Sequence, residues 1–303
     1  GFGVQGGWAV GPLVVEGAPR FAGPFRNEQV QALCHELGVE AFGADQINVS
    51  DTELRTRIWQ PLLPTTGLRP ADKWAAIHHA AWRNGDGAYA RLCRNLSASL
   101  RAADIRLRDA SDEYHRQLRA ALKSGAKPNL KFKNIALTDL HLAFHSLLAE
   151  MASARDYVSA VAGLHIGAPE KKSDSLARLM EWTEAASRRH HRAEPFVAAL
   201  AAGWDEASSD RWLYDLGEYR NLFLHREPMG TGLGVDGVFI AERPCQLGVV
   251  RTLRMEIPVH QDASQRVEAL ERFLYLYRRL LELLGRLADQ ARYPAEVPHF
   301  VAG

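Results

Sequence analysis

Cysteine is scarce in this chain. Cys34, Cys93 and Cys245 are three, odd in number and widely spaced, which excludes a disulfide framework and points to a reducing compartment. No CxxC pair is present, so a cysteine-based zinc site has no foundation. No apolar run approaches the roughly 20 residues of a helical membrane span, and Gly1 to Gly11 lacks the charged-then-apolar order of a signal peptide. The expectation is a soluble, cytoplasmic protein. One-sided charge is also missing: 37 basic residues against 36 acidic leave a formal net charge of +1. Any nucleic-acid site must therefore be a local basic patch rather than a property of the whole molecule. There is no Gly-Xaa-Ser-Xaa-Gly elbow for esterase chemistry. The glycine run Gly230 to Gly237 lacks a lysine and follows a predicted helix instead of opening one, so it is not a phosphate-binding loop. Internal repeats and low-complexity tracts are absent as well.

What remains is an ordinary globular balance, 47% hydrophobic and 24% charged, over 303 residues, enough for one large domain or two modest ones. Residues 8–16 read as a short strand, and a helix is expected from Asn27 to Gly38. The cap sequence Ser50-Asp51-Thr52-Glu53 predicts a short helix over 51–58. A further helix runs from Arg69 to about Arg83, and a long one from Ala88 to Lys123. The basic, proline-containing segment 126–134 is expected to link an α-rich N-terminal region, 1–125, to a helical unit, 135–303. In that unit, helices are predicted over 135–165, 174–189, 195–202, 208–225 and 262–292, with a β-hairpin formed by 235–241 and 247–257. The expected fold is mainly α: an up-and-down bundle with an inserted hairpin.

The candidate chemistry lies at the end of the 208–225 helix, which reads Glu218-Tyr219-Arg220-Asn221-Leu222-Phe223-Leu224-His225-Arg226-Glu227-Pro228. Cutting RNA without a metal needs a base for the 2′-hydroxyl, an acid for the leaving 5′-oxygen, and positive charge at the crowded phosphate. Histidine suits the first two because its pKa lies near neutrality. Arginine suits the third because its fork stays charged and grips two oxygens. Arg220 and His225 lie about 140° apart on an ideal α-helix, so they can flank a groove only if the helix ends or distorts near His225. One histidine does not easily serve as base and acid in one turnover, and a symmetric dimer would supply two.

This arrangement resembles the Arg-polar-x3-His signature of the HEPN superfamily, a helical family rich in RNA-cleaving toxins and defence proteins; the resemblance covers roughly residues 130 to 292. It implies a composite site at a homodimer interface. Arg220 would stabilise the phosphate, His225 act as acid or base, and Asn221 orient the pair; no metal or other cofactor is implied. It also implies a toxin–antitoxin or anti-phage setting, with an antitoxin or other regulatory protein as partner. Other family members are non-catalytic scaffolds that bind nucleotide, RNA or protein, and that alternative stays open.

Supporting candidates carry a bland reading beside the functional one. Asp156 either orients Arg220 or pairs within its own helix. Arg226 either adds phosphate charge or is a solvated surface arginine. Tyr219 is a candidate modification site by position alone. Arg188, Arg189 and Arg192, with Lys131 and Lys133 in the 126–134 segment, are weak RNA-binding candidates. His141 and His145, four apart on one helix, have zinc-helix spacing but lack the glutamate and an evident third ligand.

Overall fold

The structure is a computed structural model. It describes residues 2–4, 7–15, 18–37, 43–49, 55–61, 68–205, 210–226, 229, 237–259 and 262–296. The protein is an α-rich bundle with a β-sheet inserted among its C-terminal helices.

The order begins with β1 (Phe2–Val4), β2 (Gly7–Val15), β3 (Ala18–Phe25), α1 (Asn27–Leu37), β4 (Gly43–Val49) and β5 (Arg55–Pro61). Then come α2 (Pro70–Arg83), α3 (Gly87–Lys123) and α4 (Leu137–Ile166). The short helices α5 (Glu170–Ser173) and α6 (Leu176–Glu184) precede a 3-10 turn (Arg189–Ala193) and α7 (Pro195–Trp204). The motif helix α8 (Trp212–Asn221) passes into a π-helical turn (Leu222–Arg226). The chain closes with β6 (Val238–Cys245), β7 (Gly248–Val259), β8 (Asp262–Glu268) and α9 (Ala269–Ala288).

Local sequence explains most of these boundaries. Proline opens α2 and α7, where its missing N–H costs no hydrogen bond. Asp86 caps α3 by accepting from the Tyr89 amide at 3.1 Å. Gly167 ends α4 in the left-handed region, with φ of 67°. Leucines recur at helical spacing along α9, so Phe273, Leu276, Tyr277, Leu280, Leu284 and Leu287 are all buried.

Three expectations are corrected. Residues 55–61 form a strand, not a helix: β5 pairs antiparallel with β4 from Val49↔Arg55 to Gly43↔Pro61. The cap signal at 50–53 lies outside the described residues, and strand pairing overrides it. The 174–189 helix is broken. Ser175 is extended, α6 stops at Glu184, and the basic stretch after it turns into 3-10 geometry. The last helix starts seven residues late, because 262–268 form β8, in register with β7 at Ile257↔Val267. Glu268 then caps α9, accepting from the Glu271 amide at 2.8 Å.

The expected hairpin is present as β6–β7, running from Val238↔Met255 to Cys245↔Gly248, and it belongs to a larger sheet. β7 also pairs with β8 and β2, and β2 pairs with β1 and β3. On β7, Leu253, Met255 and Ile257 are buried at alternate positions, so one face of the sheet seals the helical core.

One hydrophobic cluster runs from Ala71 on α2 to Ala288 on α9 and includes α3 and α4 throughout. The 126–134 segment docks on the sheet: the Phe132 amide donates to Val238 O at 2.8 Å and the Asn129 amide to Ile240 O at 2.8 Å. Among the described residues no helix is long and apolar enough to cross a membrane.

Candidate functional site

The motif helix is fixed from below by aromatic packing. Tyr219 and Phe223 are buried, and their rings stack at 6.0 Å with 8° between planes. Both meet the edge or face of Phe273 on α9, at 5.8 and 6.4 Å. The Tyr219 hydroxyl donates to the Pro258 carbonyl at 3.1 Å. Tyr219 is 1% exposed, so the structure places it in the core, out of reach of a modifying enzyme.

Tyr219 and Phe223 are turned inward, and Leu222 and Leu224 pack partly against the same core. Arg220 and Asn221 are half-buried, and Arg220 Nη1 donates to Asn221 Oδ1 at 3.4 Å. His225 and Arg226 are exposed. Among the described residues, no carboxylate pairs with Arg220, His225 or Arg226.

The backbone at this point departs from α geometry. Residues Leu222–Arg226 form a π turn, in which bonding runs from i to i+5 and each turn holds more residues. In an α-helix, five positions separate Arg220 and His225 by about 140°. The wider turn carries His225 further back toward the side of Arg220. Pro228, the expected stop, lies outside the described residues, as does most of the glycine run 230–237.

One histidine from another element reaches this end of the helix. His145 on α4 accepts the Met229 amide through Nε2 at 3.3 Å. A backbone N–H can only donate, so this contact requires a neutral ring with its proton on Nδ1. Burial pushes the His145 pKa below the usual histidine value. Its neutral form is therefore favoured in the folded state, and stability through it is full above pH 6.5 and lost as pH falls towards the depressed value. Accordingly, wild type should lose its stability advantage over His145→Gln when melts are compared from pH 7.5 down to about 5. A difference that stays constant with pH would show that the ring does not titrate with folding.

The other candidates go elsewhere. Asp156 accepts from its neighbour Arg155 at 3.0 and 3.1 Å and from the Leu176 amide at 3.3 Å, so it tethers the start of α6 and does not orient Arg220. Arg155, beside Asp156, is a structural residue of this region that no sequence motif marks. It is buried, and its Nη1 donates to Leu213 O at 3.4 Å on the motif helix. Its room comes from Gly217, where a Cβ would fall well inside van der Waals contact distance of Arg155 Nη1. A glycine inside a helix was the signal available for this close approach.

Arg192 is committed to structure, donating to Thr183 Oγ1 at 3.2 Å and to Asp205 at 2.9 Å. Lys131 pairs with Glu256 at 2.9 Å on the sheet, and Lys133 is exposed on the same segment. Arg188 lies over the Trp182 ring at 4.9 Å, while Arg189 is exposed. Among the described residues no group of three His, Cys, Asp or Glu side chains could hold a metal. His141 is buried, and His145 already uses Nε2 on Met229. Comparison with known protein families, with curated proteins and with solved structures found no match to this chain.

Proposed function

We propose that this protein is a metal-independent endoribonuclease of the HEPN type, with a composite site formed by two copies of the Arg220–His225 surface. The observation that supports this most is the π turn Leu222–Arg226, since its wider turn carries the His225 position toward the side of Arg220, and among the described residues no carboxylate pairs with either. In the proposed reaction, His225 of one copy takes the 2′-hydroxyl proton. The 2′-oxygen attacks phosphorus, and the 5′-oxygen leaves as it receives a proton from His225 of the other copy. Arg220 faces the charge that builds on the non-bridging oxygens, and Asn221 holds its fork. The products are a 2′,3′-cyclic phosphate and a 5′-hydroxyl.

The test is cleavage of a mixed RNA pool by purified protein in excess EDTA. His225→Ala should lower the rate by roughly 10²–10⁴-fold while leaving the melting curve in place, because the side chain is exposed. Equal cleavage by both proteins would remove His225 from the chemistry. If neither cuts RNA, the non-catalytic scaffold becomes the better reading of the same surface.

A further inference from the structure

A second cationic feature lies away from the motif helix. The chain between α4 and α7 folds around an open cleft of about 560 Å³, lined by Pro169, Lys171, Lys172, Glu181, Trp182 and Arg188. Lys171 and Lys172 are exposed on α5, and neither has a carboxylate partner among the described residues. Arg188 is placed with more care. Its guanidinium lies 4.9 Å from the centroid of the Trp182 ring, a cation–π arrangement that holds the fork in position. Its Nε is buried with no hydrogen-bond acceptor among the described residues. Trp182 is itself stacked on His191 at 5.3 Å with 23° between planes. Three cations therefore face one carboxylate, Glu181, across a groove open to solvent. The following 3-10 turn extends the surface with exposed Arg189 and His190.

We propose that this cleft seats backbone phosphates of single-stranded RNA, with Arg188 gripping one phosphate bidentately and Lys171 and Lys172 neutralising its neighbours. The choice of RNA over another phosphate-bearing ligand rests on the nuclease reading; the cationic cleft does not. On that reading the cleft is an anchoring subsite, which holds the substrate chain while Arg220 and His225 act on another phosphodiester.

The experiment uses the full chain carrying His225→Ala, so that the probe survives. Binding of a fluorescein-labelled oligouridylate of about 12 nucleotides is followed by anisotropy between about 50 and 200 mM salt. The triple change Lys171→Gln, Lys172→Gln, Arg188→Gln is added to the same background, and its melting curve is recorded beside it. The expected result is at least a tenfold weaker affinity and a log–log salt slope smaller by about 2, because each phosphate neutralised on a single strand contributes about 0.7. An unchanged affinity and slope would overturn the proposal. So would displacement of the probe by inorganic phosphate or AMP at submillimolar concentration, which would assign the cleft to a small phosphate ligand. Failure of the nuclease reading looks different: RNA bound through the cleft by a wild type that never cleaves leaves the subsite standing. Cleavage by wild type with no cleft-dependent binding leaves the nuclease and removes the subsite.

Discussion

Phe273→Ala is expected to lower the stability of the fold by about 3–5 kcal/mol, as for other fully buried aromatics. Phe273 has no exposed surface. Its ring meets Phe144 on α4 at 5.1 Å, and Tyr219 and Phe223 at 5.8 and 6.4 Å. Removing it takes the shared partner away from three aromatic rings at once and opens a cavity that those flat, rigid neighbours cannot easily fill. The position gives the change a second consequence. Tyr219 directly precedes Arg220, and Phe223 lies inside the π turn that carries His225. The cavity would therefore open beneath the proposed catalytic surface. Urea denaturation should show a lower midpoint with little change in slope. In conditions where the variant is still folded, the proposed nuclease reading expects RNA cleavage to fall as well, without loss of RNA binding. Phe273→Leu, which refills part of the volume, should recover most of the stability. A wild-type midpoint for Phe273→Ala would mean that the aromatic cluster is not the support on which the motif rests.

The helices that the sequence made legible are those whose information is local. Proline at the start of α2, Asp86 before α3, Gly167 after α4 and the leucine spacing of α9 each act within a turn or two of the chain. The hairpin was legible for the same reason, since β6 and β7 alternate and are joined by a short turn. β5 and β8 were not. Their partners decide their state, and pairing of β8 with β7 leaves no mark on residues 262–268 themselves. The bridge from Phe132 to Val238 was not legible either, because the basic, proline-containing composition of 126–134 does not disclose a strand partner about a hundred residues away.

At the candidate site, the Arg220–His225 spacing was visible, and so was the need for distortion near His225; the π turn that supplies it was not. The tether of Asp156 to α6 and the contact of His145 with Met229 join residues 20 and 84 positions apart. Neither separation has a periodicity from which it could be read. The Trp182 cleft was visible only as a basic cluster, since its lysines on α5 and Arg188 after α6 come together through the break at Ser175 and the turn past Glu184.

The ion pair between α8 and α9 should respond unequally to removal of its two members. Asp215 is 4% exposed and accepts from Arg272 Nη2 at 2.5 Å. The Arg272 side chain is 21% exposed, and its guanidinium also lies 5.8 Å from the Tyr219 ring and 5.2 Å from the Tyr275 ring. Arg272→Leu takes the guanidinium away from the more buried member of the pair. Removing one partner of a buried ion pair is the expensive case, and the expected cost is about 3–5 kcal/mol. Asp215→Leu leaves a guanidinium that reaches solvent and keeps two aromatic faces, so its cost should be clearly smaller. Replacing both residues by leucine removes the desolvation penalty along with the attraction, and most of the loss in Arg272→Leu should be recovered. Urea midpoints of the two single variants and the double variant form a cycle that reads the coupling directly. A double variant as unstable as the combined effect of the two single variants would show that the charges act independently. The pair would then not be what fixes α8 against α9 at the level of Tyr219.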